Sequence, residues 1–266
     1  MCLQANCSGV TMLDKVEAAQ AFVIDEFRKT HPRDRDAVLI MIALLWFGLL
    51  AGFIPDMLRN MIKGREYQLV THLHAASSVG WMALLTWQAL LIREAKPAAH
   101  RANGKRFGPI LGIVVAVSAV ATVWFADHAR LSNPDFNPAI MAFQLGHVFP
   151  FAVLTAIGLA NTDQPDLHKR MILLGIIGIV DAGWSRWIGL DIRELIGQGY
   201  AGQLLGRYPL SWALMMAMGM YDQITRGRFH PAFLPAVGFT LFTQVGAAFL
   251  FFAPWWPSLA VRILGG

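Results

Sequence analysis

The sequence predicts an all-α, polytopic transmembrane helix bundle of seven spans. Composition is the first sign. Apolar residues make up 56% of the 266 and charged residues only 15%, against roughly 45–50% and about 25% in soluble domains. Such a chain has too little polar surface to cover a water-facing globule. Seven apolar stretches, most near the roughly 20 residues that a bilayer core requires, are the second sign. The third is the place of the cations, which sit in short loops between those stretches, where membrane proteins carry the charges that orient them. The net charge of +5 is explained in this way, and nucleic acid is not expected as a partner.

Residues 1–36 form an N-terminal segment. Met12, Val16, Ala19, Phe22, Val23 and Phe27 recur at helical spacing with charges between them, the pattern of an amphipathic helix lying at the interface. His31-Pro32 ends it. A charged stretch precedes any apolar run, so the order of a signal peptide is absent. Cys2 and Cys7 are the only cysteines, and no disulfide framework follows from them.

The transmembrane domain spans 37–254. Its first crossing, 37–57, is closed by Pro55 and Asp56, and the second runs over 69–92. The third, 107–126, follows a strongly basic loop, and the fourth is 139–160. The fifth, 171–190, leads into 191–207, a stretch too polar to cross and expected at the interface. Pro209 suits the first turn of a short sixth crossing, 209–224, and 232–253 is the seventh. Trp255 and Trp256 fit an aromatic anchor at the start of a short tail, 255–266. Lys and Arg are about twice as many on the N-terminal side of this topology as on the other. That bias puts the N-terminus in the cytoplasm and the chain in an inner (cytoplasmic) membrane.

Ionisable side chains inside a bilayer cost roughly 2.5–3.5 kcal/mol each on insertion scales and mark candidate functional sites. Here they gather in the outer half. His72 and His74 open the second span, Asp127 and His128 end the third, and His147 lies in the fourth beside Gln144. Asp181 and Arg186 lie in the fifth. His147 and Asp181 reach one depth, roughly 13 Å at about 1.5 Å per residue. His74, Ser77, Ser78, Trp81, Leu85 and Gln88 share one helical face, a polar stripe turned toward the interior. His72 points about 200° away from His74, since successive helical residues turn by about 100°.

Neutral imidazole is the commonest metal ligand, so His74 and His147 are the candidate axial ligands of a haem b iron. With Asp181 they form instead a candidate transition-metal set. His72, Asp127, His128, Gln144 and Arg186 are then supporting or proton-relay groups. Two other readings stay open. The Asp–His–Arg chain suits a proton or substrate path, and the same groups suit hydrogen bonds between helices, with Asp181 paired to Arg186. Function accordingly divides between a redox or metal-handling protein, an accessory subunit among other membrane subunits, and a small transporter. Whether the protein is an enzyme stays open.

On the inner side, His100-Arg101, His168-Lys169-Arg170 and the turn 226–231 each set a histidine beside cations, as anionic lipid headgroups require, and Tyr221-Asp222 lies just inside this face, where it could pair with one of those arginines. An internal echo is visible, because His74 to His100 and His147 to His168 each run through a span to a basic histidine. Such recurrence is the mark of a duplicated helix pair.

The order His74, Gln88, His100-Arg101-Ala102-Asn103-Gly104, then His168-Lys169-Arg170-Met171 and Arg186 resembles bacterial multi-pass membrane proteins of unknown function, over about 67–190. That resemblance implies an architecture and no activity. The paired helix histidines also resemble those of b-type transmembrane cytochromes. Those proteins carry histidines in both leaflets, and this chain has no mid-span histidine in the inner one, so one haem at most is implied. Phosphate-loop, HExxH, dinucleotide and nucleophile-elbow motifs are absent.

Overall fold

The computed structural model describes residues 27–266, which are helical with no strand among them. Most of the expected N-terminal amphipathic helix, with Cys2 and Cys7, lies outside the described residues. The helices are α1 (Asp34–Ile62), α2 (Leu69–Arg93), α3 (Pro97–His128), a 3-10 turn (Pro138–Ile140) leading into α4 (Met141–Ala160), α5 (Pro165–Trp184), α6 (Ile188–Ile196), α7 (Tyr200–Leu205), α8 (Pro209–Arg226), α9 (Phe233–Phe252) and α10 (Trp256–Leu264).

Local chemistry sets the boundaries. Asp34 and Asp36 lie in the first turn of α1, where the helix dipole favours anions. Proline opens α3, α5 and α8, positions at which its missing N–H costs nothing. Gly227 stops α8 with φ +70°, a left-handed conformation open to a residue without Cβ.

Five helices are long and apolar enough to cross a membrane: α1, α2, α3, the segment Pro138–Ala160, and α9. The α5–α6 pair makes a sixth if taken as one span bent by 66°. The expected sixth crossing, α8, is fully helical but does not reach that apolarity. It carries Asp222 and Arg226. The expected short tail is itself helical, and α10 docks back on the bundle. Trp256 Nε1 donates to Ala139 O at 3.2 Å and His128 Nδ1 to Leu264 O at 2.7 Å.

The bundle is built around α5, whose residues from Arg170 to Gly178 are buried without interruption. The packing against it is close. On α1, a Cβ at Gly52 would lie 2.0 Å from Gly183 O, and on α4 one at Gly158 would lie 2.9 Å from the Ile172 side chain. The outer helices turn large apolar side chains outward instead, such as Phe47 and Ile54 on α1 and Phe242 and Phe249 on α9, consistent with lipid contact. Two ends result. The near end holds the starts of α1, α3, α5 and α9, and the far end holds α6, α7 and α10.

Candidate functional site

Polar side chains on the buried faces meet in three clusters, and the histidines and carboxylate expected to form one centre are divided among them. His74 of α2 lies 3.1 Å from Ser118 Oγ on α3, and Ser77 Oγ lies 3.1 Å from the same hydroxyl. The stripe it heads does turn inward, since Ser77, Trp81 and Gln88 are buried. Its histidine end, however, faces α3. His72 is exposed and packs edge-on against Tyr67.

The second cluster joins α4, α5, α8 and α9. Asp181 has no exposed surface and accepts from Ser211 N–H at 3.0 Å and Gln244 Nε2 at 3.1 Å. Gln244 Oε1 in turn accepts from Trp212 Nε1 at 2.7 Å. Trp212 stacks with Tyr208, whose ring centroid lies 5.6 Å from that of His147. His147 Nδ1 donates to Phe143 O at 2.6 Å, and its Nε2 is buried with no hydrogen-bond partner. His147 and Asp181 therefore belong to one polar cluster, two ring contacts and two hydrogen bonds apart. No three His, Cys, Asp or Glu side chains are placed to share a metal ion among the described residues. The expected set His74, His147 and Asp181 is thus not one centre, because α5 is central and turns Asp181 toward α8 and α9 while His74 meets α3.

The expected pairing of Asp181 with Arg186 is also overturned. Arg186 bonds Ala182 O at 2.7 Å and faces Asp56 of α1 at 3.5 Å. It lies beyond the end of α5, where the chain bends, and Asp181 is met by Ser211 and Gln244 instead. Asp127 is buried beside Arg130 at 3.5 Å, and neither its carboxylate oxygens nor Gln144 Oε1 has a hydrogen-bond partner. His128 stacks on Trp124 and serves to dock α10.

The third cluster closes the near end. Asp34 accepts from Lys169 Nζ at 2.6 Å, Tyr221 Oη at 2.8 Å and Arg226 Nη2 at 2.7 Å. Arg170 donates from Nε to Asp222 at 2.8 Å, from Nη2 to the same carboxylate, and from Nη1 to Asp166 O at 2.8 Å. His230 Nε2 donates to Asp166 at 3.2 Å, and burial pulls its imidazolium below the usual histidine range. Lys169 and Arg170, expected at lipid headgroups, are thus engaged inside the protein. A cation buried at a helix end is tolerated when a carboxylate meets it. Arg101 is exposed.

Beside this network lie His100 of α3 and His168 of α5, 6.3 Å apart between ring centroids, with planes at 82°. Each ring is held in the same way. His100 Nδ1 donates to Gln88 O at 3.2 Å and His168 Nδ1 to Gly158 O at 2.7 Å, in both cases the carbonyl of a residue near the end of the preceding helix. The internal echo in the sequence has this counterpart, one histidine device repeated in α2–α3 and α4–α5. Gln88 is 8% exposed, and neither polar atom of its side-chain amide is hydrogen bonded. The pairing of His100 with His168 was not legible beforehand. They are 68 residues apart in the chain, and only packing brings them together.

Gln244, Trp212, Tyr208 and Arg207 were also missed. A glutamine amid the apolar run 232–253 was the available signal. No family model, characterised protein or solved structure matches the chain.

Proposed function

We propose that the protein is a membrane redox protein that holds one haem iron between His100 and His168 at the near end of the bundle. The observation that carries this is the pair of rings 6.3 Å apart. Two metal–imidazole bonds of about 2.0–2.1 Å, with roughly 1 Å more from each nitrogen to its ring centre, separate the centroids of trans ligands by about 6 Å.

Three further features support the reading. Each Nδ1–H is committed to a backbone carbonyl, which leaves Nε2 as the lone-pair atom, and ligating histidines characteristically donate their other N–H in this way. The described residues offer no third His, Cys, Asp or Glu for the same ion. A metal taking only two imidazoles must bring its other ligands with it, as a porphyrin iron does. Finally, the Gln88 amide is buried without a partner beside Gly104, a polar group for a bound group to satisfy. Transition-metal chemistry is thereby kept, and moved from His74 and His147 to the opposite end of the bundle.

In this reading α8 and the bent α5–α6 pair complete seven crossings of a bacterial inner membrane, with the N-terminus and the haem on the cytoplasmic side. The test is the absorption spectrum of detergent-purified protein from haem-sufficient cells, with iron analysis. A Soret band at about one haem per chain is expected, lost in His100→Gly or His168→Gly and restored by imidazole in the buffer, and retained in His74→Ala and His147→Ala. Stoichiometric metal without a Soret band overturns haem in favour of a bare ion. Folded protein with neither signal overturns the reading.

A further inference from the structure

We propose a second site, at the far end, in which Arg207, Tyr208 and His147 bind a small oxyanion that carries an O–H group, with hydrogen phosphate as the simplest example. It does not depend on the haem reading.

Arg207, just before α8, is 9% exposed. Its guanidinium lies 4.0 Å above the Phe143 ring. Among the described residues it has no hydrogen bond and no carboxylate partner, and its Nε is fully buried. An unpaired buried cation is the costly arrangement that proteins otherwise avoid. At the other end of the bundle the rule is obeyed, since Arg170 has Asp222 and Arg226 has both Asp34 and Asp222.

The surroundings deepen the imbalance. Arg193 is 9% exposed and spends its donors on Gly206 O at 2.8 Å and Ser185 O at 2.9 Å, so it braces the turn before Arg207 without being neutralised. Arg186 shares its carboxylate, Asp56, with Arg59. Burial, followed by the charge on Arg193, draws the Arg207 guanidinium down to about 10, which still leaves it cationic at neutral pH. Three guanidiniums therefore act on one region, where Asp56 is shared between Arg186 and Arg59 and the carboxylate of Asp181 is already bonded to Ser211 and Gln244.

Beside Arg207 are two more orphan groups. Tyr208 Oη is buried with no hydrogen-bond partner. His147 Nδ1 donates to Phe143 O, so on the neutral ring Nε2 is an acceptor, also buried and unmatched. The site thus presents a fixed positive charge, a neutral O–H donor and a nitrogen lone pair. A water molecule would satisfy the hydrogen bonds and leave the charge. A chloride would meet the charge and leave the imidazole. An oxyanion with its own hydroxyl meets all three, with negative oxygens on Arg207 and Tyr208 and its O–H on His147. The ligand class follows from that donor and acceptor pattern.

The experiment is titration of the full-length protein in detergent with sodium phosphate at constant ionic strength, read by calorimetry and by thermal shift. Saturable binding is expected, with sulfate and chloride weaker. Arg207→Gln should weaken phosphate binding roughly tenfold or more, since a charge-assisted bond is lost. Tyr208→Phe should weaken it a few-fold, on the order of one neutral hydrogen bond. Arg207→Lys keeps the charge and serves as the variant that must fold. His100→Gly should leave phosphate affinity unchanged, which separates this site from the haem. Equal binding of phosphate and chloride, or binding unaffected by Arg207→Gln, overturns the proposal. So does a site filled by phosphatidylglycerol in nanodiscs and indifferent to free phosphate, which would make the oxyanion a lipid headgroup.

Discussion

Arg170 and Asp222 stand 52 residues apart in the chain and meet where the side chains are 3% and 1% exposed. Two charges in so dry a place are tolerable only together. Breaking such a pair strands a charge and costs about 3–5 kcal/mol, while replacing both members with apolar residues is often near neutral. Asp222→Asn or Arg170→Met alone should therefore destabilise the protein strongly, and Arg170→Met with Asp222→Leu should recover most of the loss. Thermal unfolding in detergent micelles measures it, and additive losses in the double variant would show that the pair is not coupled. Sequence reasoning placed Asp222 within reach of one of the inner-face arginines, as found, without saying which, and it set a second buried pair at Asp181 and Arg186 that does not form. Those two are neighbours in the chain, and neighbours are what a sequence displays. The real partner of Arg170 lies on α8, and only tertiary packing selects it. Asp181 shows the converse. Its depth was legible, but its partners Ser211 and Gln244 are ordinary polar residues with no pattern to mark them.

At the scale of the element, apolar runs located the helices well. The runs 69–92 and 232–253 differ by only a residue or so at either end from α2 and α9. The third run begins ten residues late, because hydropathy reports the lipid-facing part of a helix and α3 continues into its basic foot as far as Pro97. The fifth fails differently. Residues 171–190 read as one span, yet α5 ends at Trp184 and the chain bends by 66° into α6, a turn with no proline or glycine run to announce it. Contact between helices was the least legible feature. Gly48 and Gly52, four apart on α1, let the backbone of α1 lie against Gly183 of α5, the small-residue pattern of membrane helix pairs. A Cβ at Gly183 would fall 2.2 Å from Gly48 O, backbone against backbone, with no flexible side chain to yield. Gly183→Ala or Gly52→Ala should force the helices apart. A loss of at least the 1–3 kcal/mol or so typical of overpacking is expected, seen as a lower unfolding midpoint. An unchanged midpoint in both variants would mean that the two helices separate at little cost.

For the whole molecule, the number of crossings turns on α8. Apolarity alone passes five helices, or six with the bent pair, and it fails α8 because of Asp222 and Arg226. Those charges do not face lipid. Asp222 is 1% exposed and binds Arg170, and the Arg226 side chain, fully buried, binds Asp34. A helix whose charges are neutralised by its neighbours can cross where its composition suggests that it should not. The ends of α8 agree with a crossing. Ser211 N–H meets Asp181 toward one end of the bundle, and Tyr221 meets Asp34, the first residue of α1, at the other. Cysteine mapping decides the matter cleanly, since Cys2 and Cys7 are the only native thiols and both can be changed to serine. Single cysteines at the exposed positions Glu94, Asp163 and Gln223 should then react with a membrane-impermeant maleimide from the cytoplasmic side alone. Those at Asn133 and Gln198 should react from the opposite side. A Gln223→Cys protein that labels together with Gln198→Cys would leave α8 on one face of the membrane and reverse the side assigned to everything after it. If instead Gln223 labels with Glu94 and Asp163, the Arg170–Asp222 pair and the Asp34 cluster lie on the cytoplasmic side with His100 and His168, and Arg207 faces outward.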